Sequence, residues 1–141
     1  MIKVDHVKEK GRGIIATEII KKKQVIETSP THSFSKNHRQ FIDKTNLFAY
    51  YFVMPSEYQK KTKANKEDAY MVFGLSSFCN HSEDPNAKIH WFKNETGVWI
   101  SLISIKNIAV NEEVTMSYAN IEDYSLAHDF VDNKKKRAIT C

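Results

Sequence analysis

Two segments rich in β-branched and aromatic residues, 87–92 and 98–105, flank a turn at residues 93–97 that contains Gly97. Such segments favour extended backbone and the glycine allows a tight turn, so they predict a pair of antiparallel strands. Residues 13–27 have a similar composition around the three consecutive lysines at 21–23, and they predict a second hairpin or meander. These patterns favour a mainly β protein.

The predicted helical content is small. Between residues 35 and 52 the apolar positions fit one amphipathic helix, which Pro55 ends. Those positions are Phe41, Ile42, Phe48 and Phe52. Residues 55–69 are rich in lysine and poor in apolar side chains, which predicts an exposed loop, and a further strand is predicted at residues 70–73.

A chain of 141 residues suits a single domain. Its uninterrupted apolar runs are only a few residues long, whereas a membrane-spanning helix needs about 20, so we expect no membrane span. The first ten residues carry five charged side chains and lack the apolar stretch of a signal peptide, which predicts an intracellular protein. With only Cys79 and Cys141, and no metal-ligand spacing among the histidines, we expect neither a disulfide framework nor a metal site.

The basic charge is confined to one end of the chain. The formal net charge is +4, and residues 1–133 carry 17 basic and 17 acidic side chains, so the excess lies in the four basic residues at 134–137. The chain has eighteen lysines and three arginines, whereas base and phosphate recognition favours the bidentate guanidinium group. This composition disfavours direct nucleic-acid binding.

The first candidate motif is Gly11-Arg12-Gly13, followed by Ile14, Ile15 and Ala16. It matches the dinucleotide-binding pattern G-x-G-x-x-A, but that pattern requires a buried strand before it and a helix after it. Here mostly polar residues precede the glycines and β-branched residues follow them. The glycines therefore indicate a sharp backbone turn, or a close approach of the backbone to a ligand.

The second motif is the polar stretch at residues 78–86, which contains Cys79, Asn80 and His81. Its amide and imidazole groups suit ligand binding. Cys79 and His81 are a conceivable nucleophile and base, but Pro85 favours turns that would separate their side chains. A packed core cysteine is the preferred interpretation, because free cysteine is among the most buried residue types.

The third motif is the turn and predicted strand at residues 111–118, which ends in Tyr118. In isolation it predicts a core strand. In order and spacing, however, the three motifs together resemble the SET-domain family of lysine methyltransferases. The matching segments are Gly-x-Gly at 11–13 with a β segment ending in Glu27, Phe-x-Asn-His-Ser-x-x-Pro-Asn at 78–86 and Glu-Glu-Val-Thr-x-Ser-Tyr at 112–118. The resemblance covers about residues 3–124, and the length resembles that of compact viral and bacterial members.

The resemblance implies a SET-domain fold of several small sheets, with the chain threaded beneath the Asn-His-Ser loop in a pseudoknot-like arrangement. It implies methyl transfer from S-adenosylmethionine, without a metal, to the side-chain amine of a lysine in a histone or another protein. Gly11, Arg12 and Gly13 resemble residues that contact this cofactor through their backbone. Asn80 and His81 resemble those that hold its amino-acid portion and its adenine.

Tyr118 resembles the catalytic tyrosine at the junction of cofactor and lysine, and Tyr50, Met116 and Tyr124 fall where the family places residues of the lysine channel. Met116 stands where many members have an aromatic residue, which leaves the degree of methylation open. The Cys-rich zinc segment that follows many SET domains is absent. The channel must therefore be completed by residues 119–130 or by a second chain, as in a homodimer.

The expected organisation is a SET domain at residues 1–124 and a basic tail at 125–141. Two alternatives to an enzyme remain at this point. One is a catalytically inactive SET-like module that binds other proteins, against which the presence of Asn80, His81 and Tyr118 argues. The other is an interaction protein that uses residues 134–137 on nucleic acid or as a targeting signal. The enzyme is expected in the cytoplasm, or in the nucleus where it acts on chromatin.

Overall fold

The computed structural model describes residues 1–65 and 68–119, which form two β-sheets with two short α-helices. The first sheet has the order β1-β2-β9-β6 and consists of β1 (Ile2–Val7), β2 (Gly11–Ala16), β9 (Glu113–Met116) and β6 (Asn80–His81). The second has the order β4-β5-β3-β8-β7 and consists of β4 (Tyr51–Val53), β5 (Ala69–Val72), β3 (Val25–Phe34), β8 (Gly97–Ser104) and β7 (Ala87–Asn94). The helices are α1 (Lys36–Ile42) and α2 (Ser56–Thr62), with 3₁₀ helices at Asn46–Ala49 and Leu75–Phe78. The prediction of a mainly β fold is confirmed.

The β7–β8 hairpin is also confirmed. Its strands are antiparallel and pair from Ala87 with Ser104 to Asn94 with Gly97. Gly97 has a φ of 114°, in the region that favours glycine, so this residue permits the turn that the sequence predicts.

The predicted pairing within residues 13–27 is wrong. β2 pairs with β1 and β9, whereas β3 pairs with β5 and β8 in the other sheet. Both edges of β2 are thus occupied by other strands. Between the two strands, Ile20 forms an isolated antiparallel bridge with Ile108, and both residues are fully buried.

The single helix predicted between residues 35 and 52 is interrupted. α1 ends at Ile42, and the Thr45 hydroxyl donates to the carbonyl of Ile42 and accepts the N–H of Leu47, which starts the 3₁₀ helix. α1 has no buried side chain, so no packing extends it along the predicted apolar stripe. Tyr51 and the residues after it pair with β5 instead.

The loop predicted at residues 55–69 contains α2. Pro55 stands at its N-terminal boundary, and Lys63, with a φ of 57°, ends it in a left-handed conformation. Thr62 is buried and donates hydrogen bonds to the sulfur of Met54 and the carbonyl of Tyr58. These contacts stabilise α2, which the lysine-rich composition of the segment did not predict.

The core lies between the two sheets. Its fully buried aliphatic side chains are Ile14, Ile20, Ile100, Leu102, Ile108 and Val114. Cys79 belongs to the same cluster, with 2% of its surface exposed, and its thiol contacts the carbonyl of Val114 at 3.3 Å. The interpretation of Cys79 as a packed core residue is confirmed. Within residues 1–65 and 68–119, no helix is both long and apolar enough to cross a bilayer.

Candidate functional site

The first sheet brings the three sequence motifs together. β9 lies between β2, which carries Gly11 to Gly13, and β6, which consists of Asn80 and His81. β6 and β9 are parallel, with Asn80 opposite Thr115 and His81 opposite Met116. Segments that are tens of residues apart along the chain therefore form one surface.

The amide of Asn80 connects all three strands. Asn80 is 4% exposed, and its Nδ2 donates to the carbonyl of Arg12 at 2.9 Å and to Oε2 of Glu113 at 2.8 Å. Oε1 of Glu113 pairs with Nζ of Lys10 at 2.8 Å. Both amide hydrogens of Asn80 thus bind groups of the protein itself, and they hold β2 and β9 against β6.

This contact requires glycine at position 13. A Cβ built on Gly13 would lie 2.7 Å from a methyl of Val7, 2.8 Å from Nδ2 of Asn80 and 2.9 Å from Oε2 of Glu113, closer than side-chain carbons approach. Gly11 has a φ of 85°, which favours glycine. Glycine is therefore needed at the two positions for different reasons. At Gly11 it permits the positive φ, and at Gly13 it permits the close approach of neighbouring side chains.

Asn86, at the end of the segment 80–86 that follows Cys79, holds β9 in place. Its Nδ2 donates to the carbonyl of Glu113 at 2.8 Å, and its Oδ1 accepts the N–H of Thr115 at 2.9 Å. A buried side-chain amide therefore continues the backbone pairing that β6 provides.

His81 and Tyr118 are in direct contact. The backbone N–H of Tyr118 donates to Nδ1 of His81 at 2.9 Å, and the two rings lie 5.2 Å apart. The hydroxyl of Tyr118 donates to the carbonyl of Cys79 at 2.8 Å. Tyr118 is thus attached to the chain on both sides of Asn80.

Tyr118 borders two pockets. The large pocket has a volume of about 330 Å³, and its wall includes Tyr51, Phe52, Trp91 and Met116. The small pocket, of about 10 Å³, is lined by Arg12, Tyr50, Phe78 and Asn80. Ala49, Ser77 and Tyr118 line both.

Arg12 and two aromatic rings form one side of the small pocket. Nη2 of Arg12 donates to the hydroxyl of Tyr50 at 2.9 Å, and the guanidinium lies 4.7 Å from the centre of the Phe78 ring. The Tyr50 and Phe78 rings are 5.7 Å apart in an edge-to-face arrangement. This side offers a positive charge and aromatic surface to a ligand.

The hydroxyl of Tyr51 attaches the wall of the large pocket to α1. It donates to Oδ1 of Asp43 at 2.6 Å and accepts from Nε of Arg39 at 3.1 Å. Burial and the hydrogen bond to the Asp43 carboxylate raise the pKa of Tyr51 to about 12, against the opposing charge of Arg39. This tyrosine therefore keeps its proton under ordinary conditions.

The segment before Asn80 is held by Glu27. The carboxylate of Glu27 accepts the N–H groups of Leu75 and Ser76, at 3.0 and 2.9 Å, and the hydroxyl of Ser76 at 2.6 Å. These bonds fix the 3₁₀ helix Leu75–Phe78, whose last residues line the small pocket.

The structure places most of the predicted site residues together. Gly11, Arg12, Gly13, Asn80, His81 and Tyr118 are neighbours, and Met116 lines the large pocket. Tyr50 lines the small pocket beside Arg12, whereas Tyr51 lines the large one. Tyr124 lies outside the described residues. Among those that are described, no group of three or more histidine, cysteine, aspartate or glutamate side chains could hold a metal ion.

The roles of several residues in this site are not evident from the sequence. Glu113 and Asn86 lie inside the quoted motifs but received no role, because their partners become neighbours only on folding. Tyr51 is adjacent to Tyr50 but lines the large pocket, and because Tyr50 precedes β4, strand alternation could not have indicated this difference.

A model of the SET domain matches residues 11–119. The chain belongs to the SET-domain family. The match begins at Gly11 and ends one residue after Tyr118, so it contains the three motifs and both pockets. The resemblance inferred from the motifs is confirmed at the level of the family.

Two curated relatives are similar over most of the chain. The H3 lysine-37 specific histone-lysine N-methyltransferase of Schizosaccharomyces pombe is 31% identical over 120 residues, which cover 84% of this chain and 74% of the relative. The H3 lysine-36 specific enzyme of Debaryomyces hansenii is 33% identical over 121 residues, 82% of this chain and 15% of that much longer protein. Both are fungal, so they give no support to the expected compact viral or bacterial type.

Solved structures agree on the fold. A putative histone methyltransferase of Plasmodium falciparum superposes with a TM-score of 0.60 at 24% identity, over 83% of this chain and 91% of its own. The Neurospora SET-domain protein DIM-5, a histone lysine methyltransferase, gives a TM-score of 0.63 at 19% identity, over 83% of this chain and 51% of its own. The prediction of a SET-domain fold is confirmed by these likenesses.

Proposed function

We propose that the protein transfers the methyl group of S-adenosylmethionine to the side-chain amine of a lysine in a protein substrate. The curated relatives confirm the enzyme class, protein-lysine N-methyltransferase. The observation that carries the assignment to this site is the position of Tyr118, which lines both pockets and is bound to Cys79 and His81 on either side of Asn80. A group that bridges two pockets suits a reaction in which cofactor and substrate enter from different sides.

The exposed face of Arg12, Tyr50 and Phe78 beside the small pocket is the proposed cofactor side, since the pocket itself, of about 10 Å³, is too small to enclose S-adenosylmethionine. When bound, S-adenosylmethionine supplies a methyl group on a positively charged sulfur. The exposed guanidinium of Arg12 fits the carboxylate of such a ligand, and the rings of Tyr50 and Phe78 fit its adenine or its cationic sulfur. The side chains of Asn80 and His81 already bind protein groups. We therefore propose that they contribute to cofactor binding indirectly, by holding the backbone of the neighbouring segments in place.

The large pocket is the proposed lysine side. An attacking lysine must be neutral, and with a free pKa near 10.4 its deprotonation at pH 7 costs about 4.6 kcal/mol. The buried rings of Phe52 and Trp91 give this pocket an apolar lining, which disfavours the ammonium form. The Tyr118 hydroxyl at the junction can orient the lone pair of the amine, so Tyr118 is the proposed catalytic residue.

The proposed substrate is a histone, since both curated relatives are named for lysines of histone H3. A nuclear location follows from this substrate. We further propose that residues 1–124 form the catalytic domain and that Tyr124, residues 119–130 or a second chain complete the lysine side. Residues 125–141 form the proposed basic tail.

The test is transfer of a radiolabelled methyl group to recombinant histones, with calorimetric titration of S-adenosylmethionine in parallel. We expect cofactor binding and label on a histone lysine, and a strong loss of label with Tyr118→Phe. Cofactor binding without label on histones or on any protein of a cell lysate would favour the inactive SET-like module. A folded sample that binds no cofactor would contradict the assignment of the small pocket.

A further inference from the structure

The imidazole of His81 accepts a hydrogen bond on one nitrogen and has a carboxylate near the other. Nδ1 accepts the N–H of Tyr118 at 2.9 Å, so it carries no proton. Nε2 lies 3.2 Å from Oε1 of Glu83, to which it can donate. The two contacts fit the imidazole tautomer with its hydrogen on Nε2.

This contact lies where the backbone pairing of β9 ends. β6 and β9 pair up to His81 and Met116, and the N–H of Ser82 donates to the carbonyl of Met116 at 2.9 Å. Two residues beyond Met116, the backbone of Tyr118 binds the His81 side chain instead of a strand. The imidazole thus binds the backbone of Tyr118, while the carbonyl of Cys79 binds the Tyr118 hydroxyl.

We propose that His81 is a positioning residue for Tyr118, and that it acts through Nδ1 in the Nε2–H tautomer. The inference rests on the proposed function, because the reaction is what makes the position of Tyr118 matter. Tyr118 lines both pockets, so a displacement of its backbone moves the hydroxyl relative to cofactor and amine together. A displacement of about 1 Å can cost on the order of 10²-fold in rate.

Amide substitutions at His81 distinguish the two ring nitrogens. Asparagine places a carbonyl oxygen near the position of Nδ1, whereas glutamine places its amide near that of Nε2. We expect His81→Gln and His81→Ala to lower kcat by about 10²-fold, and His81→Asn to stay within about tenfold of the wild type. Cofactor affinity, measured by calorimetry, should be the same for His81→Asn and His81→Gln.

Glu83→Gln is the matched control, because Glu83 is 92% exposed and its amide analogue still accepts from Nε2. Its kcat should equal that of the wild type. Equal kcat values for His81→Asn and His81→Gln would overturn the positioning role, since they would show that Nδ1 is not the required atom.

Nitrogen-15 NMR of the wild-type imidazole tests the contact without any turnover. We expect the Nε2–H tautomer and a Tyr118 amide that is protected from hydrogen exchange, with the protection lost in His81→Gln. An Nδ1–H tautomer would overturn the inference even in an active enzyme. The expected tautomer in a protein that methylates nothing would confirm the contact and overturn the proposed function.

Discussion

The phenolic hydroxyl of Tyr118 donates a hydrogen bond to the backbone carbonyl of Cys79 at 2.8 Å. Tyr118, which lines both pockets, is thereby attached to the residue directly before Asn80. Since Cys79 is itself packed in the core, the bond connects the proposed catalytic group to the core.

The first prediction concerns this bond. Tyr118→Phe keeps the ring but removes the hydroxyl, so the free energy of unfolding should fall by only about 1 kcal/mol, the net value of one hydrogen bond. Methyl transfer should fall by about 10²-fold or more, as for other positioned polar groups. Urea denaturation and single-turnover transfer measure the two effects. Unchanged turnover would contradict the catalytic role of Tyr118.

The second prediction concerns the amide that holds three strands together. Asn80→Ala leaves the carbonyl of Arg12 and the carboxylate of Glu113 without their donor, so we expect the free energy of unfolding to fall by about 1–3 kcal/mol. Cofactor affinity should fall with it, because β2 and β6 lose their connection. Asn37→Ala, on the exposed face of α1, is the control and should change neither quantity. Equal stability of the two variants would show that the amide does not hold the strands.

A third prediction concerns the carboxylate of Glu27, which binds the 3₁₀ helix Leu75–Phe78. Glu27→Gln has one acceptor oxygen in place of two, so it cannot bind both Leu75 and Ser76 as the wild type does. We expect a loss of about 1–3 kcal/mol in thermal or urea unfolding, whereas Glu18→Gln, at an exposed position, should be neutral. A neutral Glu27→Gln would mean that water replaces the lost bonds.

The fourth prediction follows from the raised pKa of Tyr51. The folded protein holds the Tyr51 proton up to about pH 12, whereas an unfolded tyrosine releases it near pH 10. The stabilisation is therefore complete below pH 10 and is lost as the pH rises from 10 to 12. Urea denaturation across this range should show a shallower decline for Tyr51→Phe than for the wild type. Parallel declines would indicate that the hydroxyl is not buried against Asp43 in solution.

The fifth prediction concerns the basic residues at 134–137, which lie outside the described residues and carry the whole net charge. A chain that ends at Asn133 should keep its melting temperature and its activity on a short lysine peptide. A loss confined to large acidic or nucleic-acid-bound substrates, and abolished by salt, would indicate electrostatic recruitment. Loss of cofactor binding would instead place this segment in the catalytic domain.

Local patterns predicted some elements correctly and misled on others. The β7–β8 hairpin was predictable because its strands are adjacent in sequence and Gly97 supplies the turn. α2 was not, because its stability comes from Thr62 and Tyr58, whose partners lie partly outside the helix. Residues 13–27 contain real strands, but which strand pairs with which depends on distant segments that compete for the same edges.

The sequence by itself determined the family, the β class and the residue types of the site, because these depend on motif order and on local backbone preference. Only the tertiary structure decided that β9 lies between β2 and β6, and that Asn80 therefore binds Arg12 and Glu113. The tertiary structure alone also shows that Tyr50 and Tyr51 line different pockets and that Tyr118 lines both. Contacts of this kind join residues tens of positions apart, and their geometry is set by how the two sheets pack around one core, which no local pattern contains.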